Sequence, residues 1–197
     1  LAWRPARSDS PGRSVGEAVV AMPLVLPPTV LGFYLLVLLN PESSVGGFWM
    51  ELTGASLTFS FSGLVLASIV YSLPFMVQPL HAAFRAVPEA VMEAAATLGA
   101  SSWDRWRNVA LPLAKRGYVT GGVLTFAHTV GEFGVVLMMG GNIPGETRVL
   151  SIAIYEHVET LNYDAAHTLA LGLLCFSFAS LWLVYRYAGH RFEVVRG

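Results

Sequence analysis

Four long stretches of this 197-residue chain carry almost no charge, and they constrain its fold more than any other feature. Residues 18–41, 52–84 and 165–185 contain no Asp, Glu, Lys or Arg, and residues 117–140 contain only Glu132. An α-helix needs about 20 mostly apolar residues to cross the hydrocarbon core of a bilayer. We therefore predict four membrane spans, at about residues 18–40, 60–82, 117–140 and 165–186.

The composition excludes other classes of protein. Only 13% of the residues are charged, whereas an ordinary soluble domain has about 25%. The 12 basic and 13 acidic residues lack the basic excess of a nucleic-acid-binding protein. With 54% apolar residues the chain is also too hydrophobic to be disordered. The sequence predicts an all-α integral membrane protein, with residues 1–197 forming a single domain and with lipids, not nucleic acid, around it.

The basic residues predict the orientation of these spans. Eleven of the 12 lie before the first span, between the second and third, or after the fourth: Arg4, Arg7, Arg13, Arg85, Arg105, Arg107, Lys115, Arg116, Arg186, Arg191 and Arg196. The other two connections are acidic and contain Arg148 as their one cation. Because cytoplasmic loops are enriched in Lys and Arg, we predict that both visible ends lie in the cytoplasm.

Prolines interrupt the first span. Proline removes a backbone donor and clashes with the preceding helical turn, so Pro27 and Pro28 predict a break in this helix. Inside a membrane such a break is tolerated where protein or a water-lined cavity satisfies the backbone. We interpret the break as lining a pathway; the alternative is a kink that serves packing alone.

Glu132 is an acid inside the third span, and such residues normally face the bundle interior or a cavity. His128 precedes it by one helical turn, so the two side chains can share a proton or a hydrogen bond. Two ligands fall short of a zinc site, so we predict structural pairing and no metal. In the same span, Gly117 and Gly121, with Gly122 beside them, predict a face for close helix packing.

The basic segment 85–116 is patterned as two short helices. Pro88 suits a first helical turn, and Glu89 and Glu93 favour the positive end of the helix dipole. Gly99 is placed to end that helix in a left-handed conformation. Ser101 and Asp104 have the spacing of a capping box, which predicts the start of a second helix.

These residues also resemble a known family. Glu93-Ala94-Ala95, then Gly99, then Val109-Ala-Leu-Pro112 is similar to the EAA loop of bacterial ABC importer permeases, with Val109 in place of the usual Ile. The resemblance implies the transmembrane domain of a type I ABC importer. It further implies that segment 85–116 is a cytoplasmic coupling loop, which docks on a partner ATPase through Glu89, Glu93, Ala94, Ala95 and Gly99.

Three further stretches, residues 22–32, 131–134 and 141–148, resemble the molybdate and tungstate importer permeases. That resemblance implies a bacterial or archaeal plasma (inner) membrane, a homodimer, two ATPase subunits and an extracytoplasmic oxyanion-binding protein. The partner binds ATP and Mg²⁺, because this chain has no phosphate-binding loop; we expect no catalytic residue and no cofactor here. Relatives have five or six spans and the chain starts at Leu1, so we expect that a first helix is missing.

An acid exposed on the path would repel a dianion. We therefore interpret Glu132 as a brace that holds its helix by hydrogen bonds. Small and polar groups would line a weakly binding path, and the candidate path or gate residues are Pro27, Pro28, Thr29, Thr129 and Glu132.

Several alternatives remain open. Sulfate permeases share the Gly-Glu-Tyr/Phe-Gly stretch, so the sequence leaves the anion open between molybdate, tungstate and sulfate. A proton-coupled carrier that uses His128 and Glu132 is a second possibility, although it does not explain the patterned cytoplasmic segment. An intramembrane hydrolase is disfavoured because no nucleophile and base are paired. Residues 149–158 predict an amphipathic helix that lies along the outer face or re-enters the membrane.

Overall fold

The computed structural model describes residues 11–189, and every regular element in that range is helical. A π-helical stretch, Trp106–Ala110, lies between α6 and α7. In chain order the helices are α1 (Pro11–Val25), α2 (Pro28–Leu39), α3 (Ser44–Thr53), α4 (Phe61–Arg85), α5 (Glu89–Thr97), α6 (Ser102–Arg105), α7 (Leu111–Leu113), α8 (Lys115–Gly131), α9 (Gly134–Gly140), α10 (Leu150–Glu159) and α11 (Tyr163–Gly189).

The candidate membrane spans are of two kinds, single long helices and bent pairs of shorter helices. Within residues 11–189, α4 and the Tyr163–Leu183 part of α11 meet the length and hydropathy of a span as single helices. The other two candidates are bent pairs: α1 with α2, at 114°, and α8 with α9, at 60°. Counting each pair as one span gives up to four spans in the part of the chain described. The all-α prediction is confirmed.

The break between α1 and α2 lies where the prolines predict it. α1 ends at Val25, and Leu26 still donates its N–H to the Met22 carbonyl at 3.0 Å. Pro28 opens α2, and the preceding Pro27 has an extended ψ of 136°. Proline at a first helical position has no N–H that needs an acceptor. The two prolines therefore add no N–H at the break, and the next turn begins with the Val30 N–H donating to the Pro27 carbonyl at 2.9 Å.

The described helices group into two compact units, and residues 11–21, 73–126 and 184–189 form one of them. Its core consists of Phe84, Val87, Met92, Ala110 and Ala114. The ring of Phe84 also meets that of Tyr118 edge to face, with centroids 6.1 Å apart. These contacts join α4, α5 and α8 around the segment between the second and third apolar stretches.

Gly117 and Gly121 bring α8 against α4 within this unit. A Cβ at Gly121 would lie 2.8 Å from the Met76 Sδ and 3.0 Å from the Met76 carbonyl oxygen. A Cβ at Gly117 would overlap the Ala83 side chain and lie 2.9 Å from the Pro79 carbonyl oxygen. The predicted close-packing face is confirmed for Gly117 and Gly121, whereas a Cβ at Gly122 would meet nothing within 4 Å.

Residues 22–72 and 127–183 form the second unit. Its buried cluster draws on α2, α4, α9 and α10, and the residues are Leu35, Leu39, Leu57, Leu64, Ala67, Tyr71, Val135, Val136, Met139 and Ile152. In this unit α2 and α9 touch at two glycines. A Cβ at Gly32 would lie 2.7 Å from the Met138 Cβ, and one at Gly134 would lie 2.6 Å from the Pro28 Cβ. The two interrupted spans therefore meet at their breaks.

The glycine face of α8 offers a matched pair of substitutions. We expect Gly121→Ala to destabilise the purified protein by about 1–3 kcal/mol, because the backbone of α4 has to move away from the new methyl group. Gly122→Ala is the control, since a Cβ there meets nothing within 4 Å and alanine raises helix propensity by up to about 1 kcal/mol. Thermal unfolding in detergent measures both. Equal melting temperatures for the two variants would contradict the packing role of Gly121.

Candidate functional site

The helix α5 is held by one buried side chain and is otherwise open to solvent. Met92 is 6% exposed and packs in the core of its unit with Val87 and Ala110. Along the same helix Glu89, Glu93 and Ala94 are exposed and Ala95 is half-buried. The acidic and small residues of the EAA sequence thus face outward on a helix that Met92 anchors.

The end of α5 has the geometry that its sequence predicts. Gly99 has φ +87°, a left-handed conformation, and its N–H donates to the Ala96 carbonyl at 3.0 Å. Ala100 donates to the Ala95 carbonyl at 3.0 Å, which closes the helix end. Leu98 is 88% exposed, so a large apolar side chain stands beside the turn. A partner that covers α5 would also bury Leu98.

The second short helix begins at its predicted cap and then departs from a regular α-helix. The Ser101 hydroxyl accepts the Asp104 N–H at 3.2 Å, which confirms the capping role. Asp104 in turn accepts from the Asn108 side chain. Residues 106–110 then widen into a π-helical turn, a feature that the sequence did not predict. Such turns recur at functional sites.

Glu132 lies in the break between α8 and α9, and its carboxylate supports that break. The Glu132 Oε1 accepts the Val135 N–H at 2.9 Å, and the side chain is 5% exposed. The carbonyl oxygen of the same residue accepts the Ser151 hydroxyl at 2.6 Å. In a bilayer each unsatisfied backbone group costs several kcal/mol. The break therefore relies on two side chains, Glu132 from its own span and Ser151 from α10.

The polar groups around Glu132 come from α4 and α8. The His128 Nε2 lies 3.7 Å from the Glu132 Oε2, which is longer than a hydrogen bond and fits an ion pair if the imidazole is protonated. The His128 ring also packs on the Tyr71 ring, with centroids 4.8 Å apart. Thr129 and Ser72 hydrogen bond through their hydroxyls at 2.8 Å. Among residues 11–189 no group of three His, Cys, Asp or Glu side chains is placed to hold a metal ion.

The candidate path residues occupy different positions in the second unit. Pro28 is half-buried and meets Gly134 at the break beside Glu132. Pro27, Thr29 and Thr129 are exposed. The path and brace roles of these residues stay predictions. The structure brings Pro28 and the Glu132 break together.

The loop 141–149 folds tightly against the end of α9, a feature that sequence reasoning missed. Gly141 and Gly145 have φ +64° and +79°. The Thr147 hydroxyl is buried, donates to the Gly140 carbonyl at 2.6 Å and accepts the Ile143 N–H at 3.1 Å. The stretch 141–148 that resembles the importer permeases is thus a compact turn with its own internal hydrogen bonds.

A polar triangle ties this loop to α10. The Arg148 Nη2 lies 3.0 Å from the Glu156 Oε2, and the Asn142 amide donates to the same oxygen at 2.8 Å. The Arg148 Nε donates to the Asn142 Oδ1 at 2.7 Å, which closes the triangle. Arg148, the one Lys or Arg in the two acidic connections, therefore contacts both the loop and α10.

The helix α10 begins beside the break. Ile152 is 1% exposed and belongs to the same cluster as Val135 and Met139. The Tyr155 ring packs on the Phe133 ring with centroids 4.9 Å apart. The Tyr155 hydroxyl donates to Glu159 at 2.6 Å, and this bond to a carboxylate raises the pKa of Tyr155. The two placements predicted for residues 149–158, along the outer face or re-entering the membrane, stay predictions.

With this geometry established, the chain can be compared with known proteins. Residues 1–190 match the family of binding-protein-dependent transport system inner membrane components. The chain belongs to this family. It is a multi-pass inner-membrane subunit of a transport system, and not an enzyme.

The relatives fall into two groups, molybdenum transport permeases and sulfate transport permeases. The chain is 52% identical to the molybdenum transport system permease protein ModB of Azotobacter vinelandii, over 94% of this chain and 82% of the relative. It is 39% identical to ModB of Escherichia coli strain K12, over 81% and 70%. It is also 31% identical to a probable sulfate transport system permease protein, cysT, of Chlorella vulgaris, over 98% and 73%.

The fold also occurs in a solved transporter. A chain of a bacterial alginate ABC transporter, crystallised in complex with an alginate pentasaccharide-bound periplasmic protein, superimposes with a TM-score of 0.76. The match covers 98% of this chain and 71% of that chain at 17% sequence identity. At this identity the likeness concerns the fold alone, and it confirms the predicted ABC importer transmembrane fold.

The support that Glu132 gives to the break can be measured by removing its acceptor atoms. We expect Glu132→Met to lower the free energy of unfolding by about 1–3 kcal/mol, because the buried Val135 N–H loses its partner. Glu132→Gln is the matched variant: its amide oxygen still accepts, so its loss should stay below about 1 kcal/mol. Melting of the purified protein in detergent reports both. A Gln variant as unstable as the Met variant would show that charge, and not hydrogen bonding, stabilises the break.

Proposed function

We propose that this chain is the permease subunit of an ATP-driven importer for molybdate or tungstate. The observation that carries the proposal is the 52% identity to a ModB permease over 94% of the chain. The aligned region is 185 of the 197 residues, so it includes the break at Glu132, the loop 141–149 and segment 85–116.

The proposed link to energy is α5. A helix that one buried methionine anchors, with Glu93, Ala94 and Leu98 exposed, has a solvent-facing surface that a larger partner can cover. Small alanine side chains permit close approach of that partner. We assign the partner as an ABC ATPase, which supplies ATP and Mg²⁺, with two ATPase subunits acting on two copies of this chain.

The proposed path runs by the two breaks in the second unit. Thr29 and Thr129 are exposed there, whereas the one carboxylate, Glu132, is turned into the protein and bonded to Val135. This arrangement keeps a negative charge away from a dianion. A path lined by hydroxyl groups would bind the anion weakly, and an extracytoplasmic oxyanion-binding protein would supply the selectivity.

The transport cycle follows from these assignments. ATP draws the two ATPases together, and their movement carries the two copies of α5 with it. The spans tilt from an inward-facing to an outward-facing arrangement, the binding protein releases its anion, and hydrolysis resets the dimer. In the proposed orientation both ends of the chain and α5 are cytoplasmic, while α3 and α10 lie on the outer side.

A sulfate-type permease is the second candidate, because the chain is also 31% identical to a probable sulfate permease over 98% of its length. The higher identity to the ModB relatives favours molybdate. Tungstate is included because its tetrahedral dianion has the same charge and shape.

The proposed function is tested with the full chain, its partner ATPase and its binding protein in lipid vesicles. We expect ATP hydrolysis and uptake to rise when the binding protein carries molybdate or tungstate, and to stay at the unstimulated rate with sulfate. Dissipation of a proton gradient should leave uptake unchanged. Stimulation by sulfate alone would select the second candidate. Uptake that follows the pH gradient without ATP would point to a proton-coupled carrier that uses His128 and Glu132.

The coupling role of α5 is tested by charge reversal. We expect Glu93→Arg to lower ATP-driven uptake at least tenfold, because an exposed carboxylate at the proposed contact becomes a cation. Glu51→Arg is the matched control, since Glu51 is also exposed on a helix but lies on α3, away from the proposed ATPase. Co-purification of the ATPase and uptake are measured together. Wild-type uptake by the Glu93 variant would refute the assignment.

A further inference from the structure

The break at Glu132 is held from outside its own span. Glu132 satisfies the Val135 N–H with its own carboxylate, but its carbonyl depends on the Ser151 hydroxyl, 19 residues further along the chain. Ser151 lies in the first turn of α10, whereas the break lies between α8 and α9. The geometry of an interrupted span thus depends on one side chain of a different helix.

Hydrogen bonds, an ion pair and one ring contact tie α10 to the residues on either side of α9. At the break, Ser151 and Tyr155 contact Glu132 and Phe133. Beyond the other end of α9, Thr147 holds the Gly140 carbonyl, and the Asn142, Arg148 and Glu156 triangle holds α10. We call residues 134–159, which are α9, the loop and α10, the α9–α10 block.

The far end of this block is exposed. Val158 is 43% exposed, and Leu161, just after α10, is 71% exposed. Ser151 itself is half-buried and its hydroxyl points back to the break. In the proposed orientation the exposed end lies on the side from which the binding protein delivers the anion. A displacement of that end would reach the break along α10, through the Tyr155–Phe133 contact and the Ser151 hydroxyl.

From this geometry we infer that Ser151 is a positioning residue for transport: it transmits the docking of the binding protein on the outer side to the helix break at Glu132. The α9–α10 block moves as a unit during the cycle, and the Ser151 hydroxyl keeps the break in the conformation that the block imposes. The inference rests on the proposed function, since it requires a binding protein and a transport cycle.

The first test removes the hydroxyl in the complete transporter. With Ser151→Ala, we expect stimulation of ATP hydrolysis by the molybdate-loaded binding protein to fall about fivefold or more, the effect of one lost buried hydrogen bond. The concentration of loaded binding protein that gives half-maximal stimulation should change less than twofold, because Ser151 lies away from the exposed end. Ser151→Thr keeps the hydroxyl and should restore most of the stimulation.

Thr168→Ala is the matched control. Its hydroxyl lies on α11 and bonds the carbonyl of Asp164 in the same helix. This variant should be stimulated like the wild type. Wild-type stimulation of Ser151→Ala would overturn the inference. The inference would also be overturned if stimulation fell only in proportion to the amount of assembled complex and Ser151→Thr did not restore it.

A second test does not depend on the stability of the alanine variant. Phe133→Cys and Tyr155→Cys are combined with Cys175→Ser, which removes the single native cysteine. A short thiol cross-linker then ties α10 to the break. If the block moves as a unit, the cross-linked transporter should keep at least half the uptake of the same variant after reduction. A loss above about tenfold that reduction reverses would overturn the inference.

These outcomes separate the inference from the proposed function. A wild-type complex that does not respond to molybdate-loaded binding protein would refute the proposed function. A wild-type complex that responds, together with an unaffected Ser151→Ala or an inhibiting cross-link, would refute the role of Ser151 alone.

Discussion

The need to satisfy backbone groups away from water governs the second unit of this chain. A helix that stops inside a bilayer exposes amides and carbonyls that lipid cannot bond. The two interrupted spans meet this need in different ways. At the first break Pro27 and Pro28 have no N–H that needs an acceptor, whereas at the second the Glu132 carboxylate accepts the Val135 N–H and the Ser151 hydroxyl donates to the Glu132 carbonyl. The acid in the third span is thus a structural necessity of the bend and not a stray charge.

The two solutions depend on each other because the breaks touch. A side chain at Gly134 would overlap Pro28, and a side chain at Gly32 would overlap Met138. Dense packing of this kind transmits small displacements because there is no free volume to absorb them. A change in the bend of either span therefore requires a change in the other.

The parts of this architecture that local chemistry dictates were predictable from the sequence. Charge-free stretches predicted the apolar helices, Pro27 and Pro28 the first break, Gly99 the left-handed end of α5, and Gly117 with Gly121 the packing face of α8. The contact of Ser151 with Glu132 was not predictable, because it depends on the path of the loop 141–149 and on positive φ angles at two of its glycines. A serine in a first helical turn looks like an ordinary capping residue. The spacing of His128 and Glu132 predicted a pair, and the structure places them at 3.7 Å.

The π-helical turn at Trp106–Ala110 changes how α7 follows α6. An α-helix rotates the chain by about 100° per residue, since it has 3.6 residues per turn, whereas a π-helical turn bonds residue i to residue i+5 and rotates it less. Because α6 ends at Arg105 and α7 begins at Leu111, the five residues between them set the direction in which the α7 side chains point, relative to a regular continuation of α6. One wide turn thus rotates one short helix against another without a loop between them.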